Sequence, residues 1–167
     1  MKNKKIIISG APGTGKTTII NELKHRGYEC AAEINPLHSD IKIRENKLLM
    51  SEFLFHQRTK QHDNINKSLV FYDRSIIDVV AYMKFWKHKY PTTWNSIIQK
   101  SKYFKSVFYT PLWQEIYMTN KYRQETYQEA QKIDLVLQET FLSFNYKIIN
   151  IPKLTISERV QFIINNI

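Results

Sequence analysis

Several residue types and patterns are scarce in this chain of 167 residues, and each scarcity narrows what the chain can be. Cys30 is its single cysteine. No internal disulfide can form, which is the usage expected in a reducing cytoplasm. No apolar run approaches the roughly 20 residues of a membrane-spanning helix. The apolar stretch behind the basic N-terminus is about three residues long, too short for a secretory signal. The sequence therefore predicts a cytoplasmic protein without a membrane segment.

Acidic residues are also few, with 15 Asp and Glu against 25 Lys and Arg. The net charge of +10 favours anionic partners, including nucleotides, phosphorylated metabolites and nucleic acid, without choosing among them. No DNA- or RNA-binding motif accompanies the basic residues, so nucleic acid is possible but not favoured. Six lysines make the middle of the chain especially basic and could form either a solvated helical face or a nucleic-acid patch. They are Lys84, Lys87, Lys89, Lys100, Lys102 and Lys105.

The sequence lacks the motifs of three kinds of active site. The five histidines show no metal-ligand spacing, so we do not expect a protein-held zinc. No serine or cysteine arrangement typical of nucleophilic catalysis is visible. The guanine-reading motif Asn-Lys-x-Asp is missing, which argues against a small GTPase.

The strongest positive signal is the segment Gly10–Thr17, which reads Gly-Ala-Pro-Gly-Thr-Gly-Lys-Thr and is called the P-loop below. It lies between the strand-like run Ile6–Ile8 and a helix-like run, the context in which this pattern binds phosphates through backbone N–H groups and a helix N-terminus. Lys16 is expected to contact the outer phosphates of ATP, and the Thr17 hydroxyl is expected to bind Mg²⁺. The predicted nucleotide-binding residues are Gly10, Ala11, Pro12, Gly13, Thr14, Gly15, Lys16, Thr17 and Thr18.

Strand-like and helix-like runs alternate along the chain and predict an α/β fold. No linker rich in Pro, Gly or Ser interrupts them, so residues 1–167 are expected to form one domain, with a short lid at about 111–123. We expect a three-layer P-loop NTPase with a five-stranded parallel sheet in the order 2-3-1-4-5 and helices on both faces. The predicted strands are 5–9, 28–32, 69–72, 106–109 and 147–150, and the predicted helices are 15–26, 43–65, 76–87, 92–101, 127–144 and one beginning at 156.

A second chemical signature follows the predicted strand 69–72. There an apolar strand ends in Asp73, as in a Walker B motif, and Arg74 comes next. At the carboxyl end of a parallel strand, Asp73 would lie beside the P-loop, where it could hold Mg²⁺ or orient an acceptor hydroxyl. Arg74 could bind a phosphate. The alternative is that Asp73 only caps the following helix.

The segment Asp73-Arg74-Ser75 resembles a signature of thymidylate and deoxynucleoside kinases. A wider resemblance, to the small AAA-domain P-loop ATPase and kinase family related to the kinase domain of NadR, covers nearly the whole chain. In place of the acidic Thr-Asp-x-Glu-Arg of that family, this chain has a more basic segment at 119–123. The resemblance is carried by residues 8–18, 27–28, 33, 73–75, 78, 81–82, 111–117, 123–126, 129–130, 145–146, 151–152 and 158–159.

The resemblance implies roles for further residues. Arg123 would move with the lid onto the transferred phosphate, unless it is an ordinary surface partner of Glu125 or Thr126. Glu33 would be the general base for the acceptor hydroxyl, unless it is a solvated loop acid. Gln57 could read a base edge or lie on the surface. Nearby aromatic residues could stack an acceptor ring or belong to the core: Phe53, Phe55, Tyr82, Phe85 and Trp86.

These observations predict a Mg-ATP-dependent kinase that phosphorylates a small acceptor such as a nucleoside, a nucleotide or a related metabolite. Two alternatives stay open. The chain could be a nucleotide-dependent switch or binding protein that hydrolyses ATP or GTP slowly. It could also be a polynucleotide 5′-kinase, a function that the positive net charge would suit. The sequence gives no indication of the oligomeric state.

Overall fold

The sheet consists of parallel strands joined by helical connections, as parallel pairing requires. A computed structural model describes residues 4–36, 39–117 and 125–167 of the chain. The strands in these residues are β1 Lys4–Ser9, β2 Leu69–Asp73, β3 Ser106–Tyr109 and β4 Lys147–Asn150. They lie side by side in the order β2-β1-β3-β4, and every neighbouring pair is parallel.

Helices cover both faces of this sheet. Within the described residues they are α1 Lys16–His25, α2 Ile41–Glu45, α3 Lys47–Asn64, α4 Ile76–Phe85, α5 Thr93–Lys100, α6 Tyr127–Ser143 and α7 Ile156–Asn165. On one face, Ile6 and Ile8 pack with Leu23 of α1 and Val160 of α7. On the other face, Ile7 belongs to a larger cluster with side chains of α3, α4, α5 and α6. The expected three-layer arrangement is confirmed.

The expectation of five strands in the order 2-3-1-4-5 is wrong. Within the described residues the sheet has four strands in the order β2-β1-β3-β4, because residues 28–32 form no strand. Cys30 makes only an isolated parallel bridge to Phe71 at the outer side of β2. Two backbone hydrogen bonds join this segment to β2, one from the N–H of Phe71 to the oxygen of Glu29 and one from the N–H of Ala31 to the oxygen of Phe71. A single bridge is too little pairing to add a further strand beside β2.

The predicted helix 43–65 is divided in two by Asn46. The side chain of Asn46 accepts hydrogen bonds from the N–H groups of Leu48 and Leu49 and so begins α3 as an N-cap. Leu49, Phe53 and His56 share one face of this helix by their spacing, but that face is not the buried one. The buried residues of α3 are Ser51, Phe55, Arg58 and His62.

Elements near the end of the chain agree closely with the sequence. The apolar stripe of α6 is buried at Ala130, Ile133, Leu137 and Phe141. The capping box at Thr155 and Glu158 begins α7 as predicted. Residues 111–117, the described part of the predicted lid, contain one 3₁₀ turn, Gln114–Ile116, and the rest of that lid lies outside the described residues. No described helix is both long enough and apolar enough to span a membrane.

Candidate functional site

The P-loop connects the carboxyl end of β1 to the first turn of α1. Gly15 is the N-cap of α1 and has a left-handed backbone with φ of 84°. Gly10 has φ of 145°, and a Cβ there would lie 2.1 Å from Oγ1 of Thr110, so only glycine fits. The hydroxyls of Thr14 and Thr110 are 2.6 Å apart and attach the loop to the end of β3. The loop is thereby held at the carboxyl edge of the sheet.

Lys16 folds back over the loop that precedes it. Its Nζ donates to the carbonyl oxygen of Ala11 at 2.6 Å and to Oγ1 of Thr14 at 3.3 Å. The side chain is only 6% exposed. Neutral oxygen acceptors stabilise a buried ammonium group only in part, and an anion in the same place would be a stronger partner. The ammonium group of Lys16 therefore lies against the P-loop, where the sequence predicts that the outer phosphates of ATP bind.

The two predicted magnesium ligands lie next to each other. Oγ1 of Thr17 donates to Oδ2 of Asp73 at 3.5 Å. Ile8 and Asp73 are register partners in the sheet, which places the carboxylate at the edge where the P-loop begins. Hydroxyl and carboxylate oxygens are the ligands that Mg²⁺ takes while keeping several waters or phosphate oxygens. The donor set at this position fits magnesium.

Arg74 follows directly and turns back toward the P-loop. Its backbone has φ of 69°, an uncommon left-handed conformation for a residue other than glycine. Its Nη1 donates to the carbonyl oxygen of Gly10 at 3.4 Å and lies 3.7 Å from a carboxylate oxygen of Asp78. The guanidinium also lies over the ring of Tyr82, at 5.4 Å. These contacts fix a cation between the loop and α4.

A buried polar network supports this corner of the site. The carboxylate of Asp78 is fully buried and accepts from the backbone N–H of Ser75 at 2.6 Å, from the Ser75 hydroxyl at 2.8 Å and from the Ser9 hydroxyl. Arg58 of α3 donates to the carbonyl oxygen of Ser75 at 2.9 Å. Burial lowers the pKa of Arg58, and the nearby charge of Asp78 opposes that shift. The network ties β1, α3 and α4 together below Arg74.

The sequence analysis did not assign a role to Arg159, which the structure places against the P-loop. This residue of α7 is 2% exposed, and its Nη2 donates to the carbonyl oxygen of Thr14 at 3.0 Å. A Cβ at Gly15 would lie 3.0 Å from its Nη1. Trp113 stacks near the same guanidinium, at 6.0 Å. The signal in the sequence was a charged residue three positions after Ile156, on the apolar stripe of α7.

A cavity of about 500 Å³ opens over these groups. Lys16, Asp73, Arg74 and Glu33 all line it, so the structure brings four of the predicted catalytic residues together, although Glu33 is exposed and lies on the wall. The predicted catalytic residue Arg123 lies outside the described residues. The cavity also has an apolar and aromatic wall, formed by Met50, Leu54, Val79, Tyr82 and Trp86.

The other candidates around the acceptor lie elsewhere. Gln57 is exposed and does not line the cavity. Phe55 belongs to the core, where its ring stacks on Trp94 with centroids 3.8 Å apart. Phe53 and Phe85 are half-buried and do not line the cavity. Of the five aromatic candidates, Tyr82 and Trp86 are the two that line it.

Comparison with known proteins agrees with this fold. The model of a family described as an AAA domain matches residues 5–159. The chain belongs to this AAA-domain family. No curated protein matches its sequence. A large set of solved structures matches the AAA-domain chain, and three of them are described next.

Deoxyadenosine kinase from M. mycoides with bound dATP has a TM-score of 0.71 at 18% identity, and the match covers 98% of each chain. Thymidylate kinase from Ehrlichia chaffeensis has a TM-score of 0.65 at 14% identity, with 99% of each chain covered. The NadR protein in complex with NR has a TM-score of 0.71 at 16% identity, and 98% of this chain matches 48% of that one. At these identities the likeness establishes a shared fold.

Proposed function

We propose that this AAA-domain protein is a kinase that transfers the γ-phosphate of Mg-ATP to a small acceptor. The observation that carries the proposal is the composition of one cavity. The P-loop, Thr17, Asp73 and Arg74 line one part of it, and an apolar and aromatic wall lines another. A phosphate site and an acceptor site in the same cavity are what phosphoryl transfer needs, because that reaction depends on positioning and charge neutralisation.

Lys16 is the group that would contact the β- and γ-phosphates. It now donates to the carbonyl oxygen of Ala11, and a phosphate oxygen would be a stronger acceptor. Magnesium, held through the Thr17 hydroxyl with Asp73 in or near its shell, would supply charge neutralisation at the phosphates. Among the described residues no cluster of three or more His, Cys, Asp or Glu could hold a metal, which favours an ion shared with the nucleotide.

In the transfer step the acceptor hydroxyl forms a bond to the γ-phosphorus while the bond from that phosphorus to the ADP oxygen breaks. Arg74 is held beside the carbonyl of Gly10 and would stabilise the charge on the transferred group. Glu33 on the cavity wall would accept the proton of the hydroxyl. Arg123 would add a second guanidinium from the lid.

The apolar and aromatic wall of the cavity favours an acceptor that carries a ring. Tyr82 and Trp86 are half-buried there, and their own rings lie 5.5 Å apart. A nucleoside, a nucleotide or a related riboside would stack on such a surface. Similar structures contain ligands of this class, dATP in the M. mycoides kinase and NR in the NadR protein. The size of about 500 Å³ also suits a small acceptor.

The test is ADP release from Mg-ATP with a panel of nucleosides, nucleotides and vitamin ribosides. We expect at least one acceptor to stimulate release and to appear as a phosphorylated product. Lys16→Ala should abolish the reaction, while Lys24→Ala, which removes the same charge from an exposed position on α1, should retain it. Full activity in Lys16→Ala, or release that no acceptor stimulates, would contradict the proposal.

A further inference from the structure

A second cavity lies at the opposite edge of the sheet, where the parallel strands begin. Its volume is about 980 Å³, at the upper end of the range of roughly 300–1,000 Å³ that is usual for small-molecule sites. Lys4 and Lys5 begin β1, and Lys105 directly precedes β3. We call it the lysine cavity, after the four lysines that line it: Lys4, Lys5, Lys102 and Lys105.

The acid and lysine side chains that line this cavity are all lysines, so its charge is positive. No Asp or Glu lines it, and within the described residues none of the four lysines forms an ion pair with a carboxylate. Lys5 is half-buried, and its Nζ donates only to the backbone oxygen of His62. Burial lowers the pKa of Lys5, and the more distant charge of Asp63 opposes the shift. Gathering cations in a concave surface focuses a positive potential inside it.

Aromatic rings form part of the same walls. The ammonium of Lys4 lies 5.8 Å from the ring of Phe104, and that of Lys105 lies 5.5 Å from the ring of Tyr146. These cation–π contacts hold two of the cations along the cavity walls. Phe144 and Ile98 add further apolar surface. A ligand here would meet charge and apolar area together.

Two residues of the lining carry buried polar atoms that no described residue satisfies. They are Nε2 of His62 and the hydroxyl of Tyr103, in side chains that are 6% and 5% exposed. The His62 and Tyr103 rings are in contact, with centroids 4.6 Å apart. Nδ1 of His62 lies 3.0 Å from a carboxylate oxygen of Asp63, and the backbone of Lys102 also interacts with the His62 ring. Buried polar groups normally have partners, so these two atoms point to a ligand with hydrogen-bonding groups of its own.

We propose that the lysine cavity is a second binding site, for a small organic phosphate: a phosphate ester carried on an aromatic ring or a sugar. The lysines bind the phosphate, the aromatic walls contact the ring or sugar, and the paired His62 and Tyr103 hydrogen-bond its hydroxyl or N–H groups. The site lies at the far edge of the sheet from the P-loop, so it is separate from the site of transfer and does not depend on the kinase proposal. Nucleic acid is the competing partner, but the concave shape of the cavity and its buried polar pair favour a small ligand.

The experiment follows amide chemical shifts in ¹H–¹⁵N NMR spectra of the Lys16→Ala protein, in which phosphate binding by the P-loop is weakened. Three probes separate the parts of the ligand: AMP carries both phosphate and ring, pyrophosphate carries phosphate alone, and adenosine carries the ring alone. We expect AMP to shift saturably the amides of residues 102–105 and 144–146, and to bind at least tenfold more tightly there than either of the other probes.

The charge requirement is tested with a matched pair of variants. Lys102→Glu with Lys105→Glu should weaken AMP binding at these amides at least tenfold. Lys60→Glu with Lys89→Glu makes the same change in net charge at exposed positions outside the cavity and should leave binding unchanged. Equal weakening by both pairs, binding of pyrophosphate as tight as that of AMP, or no shifts at residues 102–105 would overturn the proposal. So would tighter binding of an oligo-dT strand with the same lysine dependence, which would indicate nucleic acid.

Discussion

Gly15 and Gly27 form a natural matched pair for testing the P-loop. Both have φ of 84°, but a Cβ at Gly27 meets nothing within 4 Å, whereas one at Gly15 meets Arg159. A left-handed backbone costs a residue with a side chain roughly 1–2 kcal/mol. We expect Gly27→Ala to lower the free energy of unfolding by about that amount without affecting nucleotide binding.

Gly15→Ala should cost more and should also weaken ATP binding, because Arg159 must move away from the carbonyl of Thr14. Thermal unfolding with and without Mg-ATP measures both effects. If the ligand-induced rise in melting temperature is the same in the two variants, the contact between Arg159 and the loop does not support nucleotide binding.

Asp73 provides a second test at a single side chain. Asp73→Asn keeps the shape of the residue and removes the charge that faces Thr17. Because the P-loop and Lys16 remain, we expect ATP affinity to change little and turnover to fall tenfold or more, a loss of about 1.4 kcal/mol of transition-state stabilisation. Raising the Mg²⁺ concentration should recover part of the rate. A parallel loss of ATP affinity and turnover would mean that Asp73 acts on the nucleotide already in the ground state.

Three described helices begin with a capping box, and two of them, α4 and α7, carry it in different surroundings and should respond differently to its removal. Asp78 occupies the third position of the box in α4 and is fully buried, whereas Glu158 holds that position in α7 and is exposed. Asp78→Ala removes the buried charge beside Arg58 and Arg74 and leaves the Ser9 hydroxyl without its acceptor, and such losses cost roughly 3–5 kcal/mol. Glu158→Ala should have a much smaller effect, since water replaces the lost contacts. Urea unfolding of the two variants compares them directly, and similar losses would show that burial of Asp78 adds nothing to its cap.

Helices and strands with a clear local pattern were predictable, and those decided by distant partners were not. Strands 106–109 and 147–150 agree with the sequence prediction to the residue. The segment 28–32 has the composition of a strand, but whether it extends a ladder depends on how many of its residues can pair with β2. In α3 the apolar residues do not mark the buried face. Leu49 is 42% exposed, whereas the polar Arg58 is buried. Arg58 is held inside by the carbonyl of Ser75, a partner that the local sequence does not reveal.

The same distinction applies to the candidate site. The P-loop and Asp73 are recognisable by motif, and the parallel sheet brings together the strand ends that carry them. Arg159 carries part of the family resemblance but had no assigned role, and its contact with Thr14 spans 145 positions of the chain. Tyr82 and Trp86 were only two of several aromatic candidates, and their place on the cavity wall depends on how α4 packs. Residues that act through long-range contacts therefore had to be found in the structure.

Stability of the fold as a whole should depend on pH through His62. Burial lowers the pKa of His62 below its ordinary value of 6.5, and the hydrogen bond to Asp63 opposes the shift only in part. Below about pH 6.5 the unfolded chain therefore binds a proton that the folded chain does not, so stability present above that pH is lost as the pH falls toward the lowered pKa. We expect the free energy of unfolding to drop between pH 7.5 and 5.5.

His62→Gln should make that drop smaller, whereas His56→Gln, at an exposed position of the same helix, should leave it unchanged. Urea unfolding at the two pH values measures the difference. An identical pH dependence in the wild type and in His62→Gln would show that other groups are responsible.

The contact between Arg159 and Thr14 also has a consequence for how the protein matures during synthesis. The ribosome releases β1 and its glycine-rich turn well before the guanidinium that supports this turn, because Thr14 and Arg159 are 145 positions apart in the chain. A nascent chain that stops short of α7 can carry every letter of the phosphate-binding motif and still lack its native support. Competence to bind nucleotide should therefore arise only after α7 has emerged and has docked beside the P-loop.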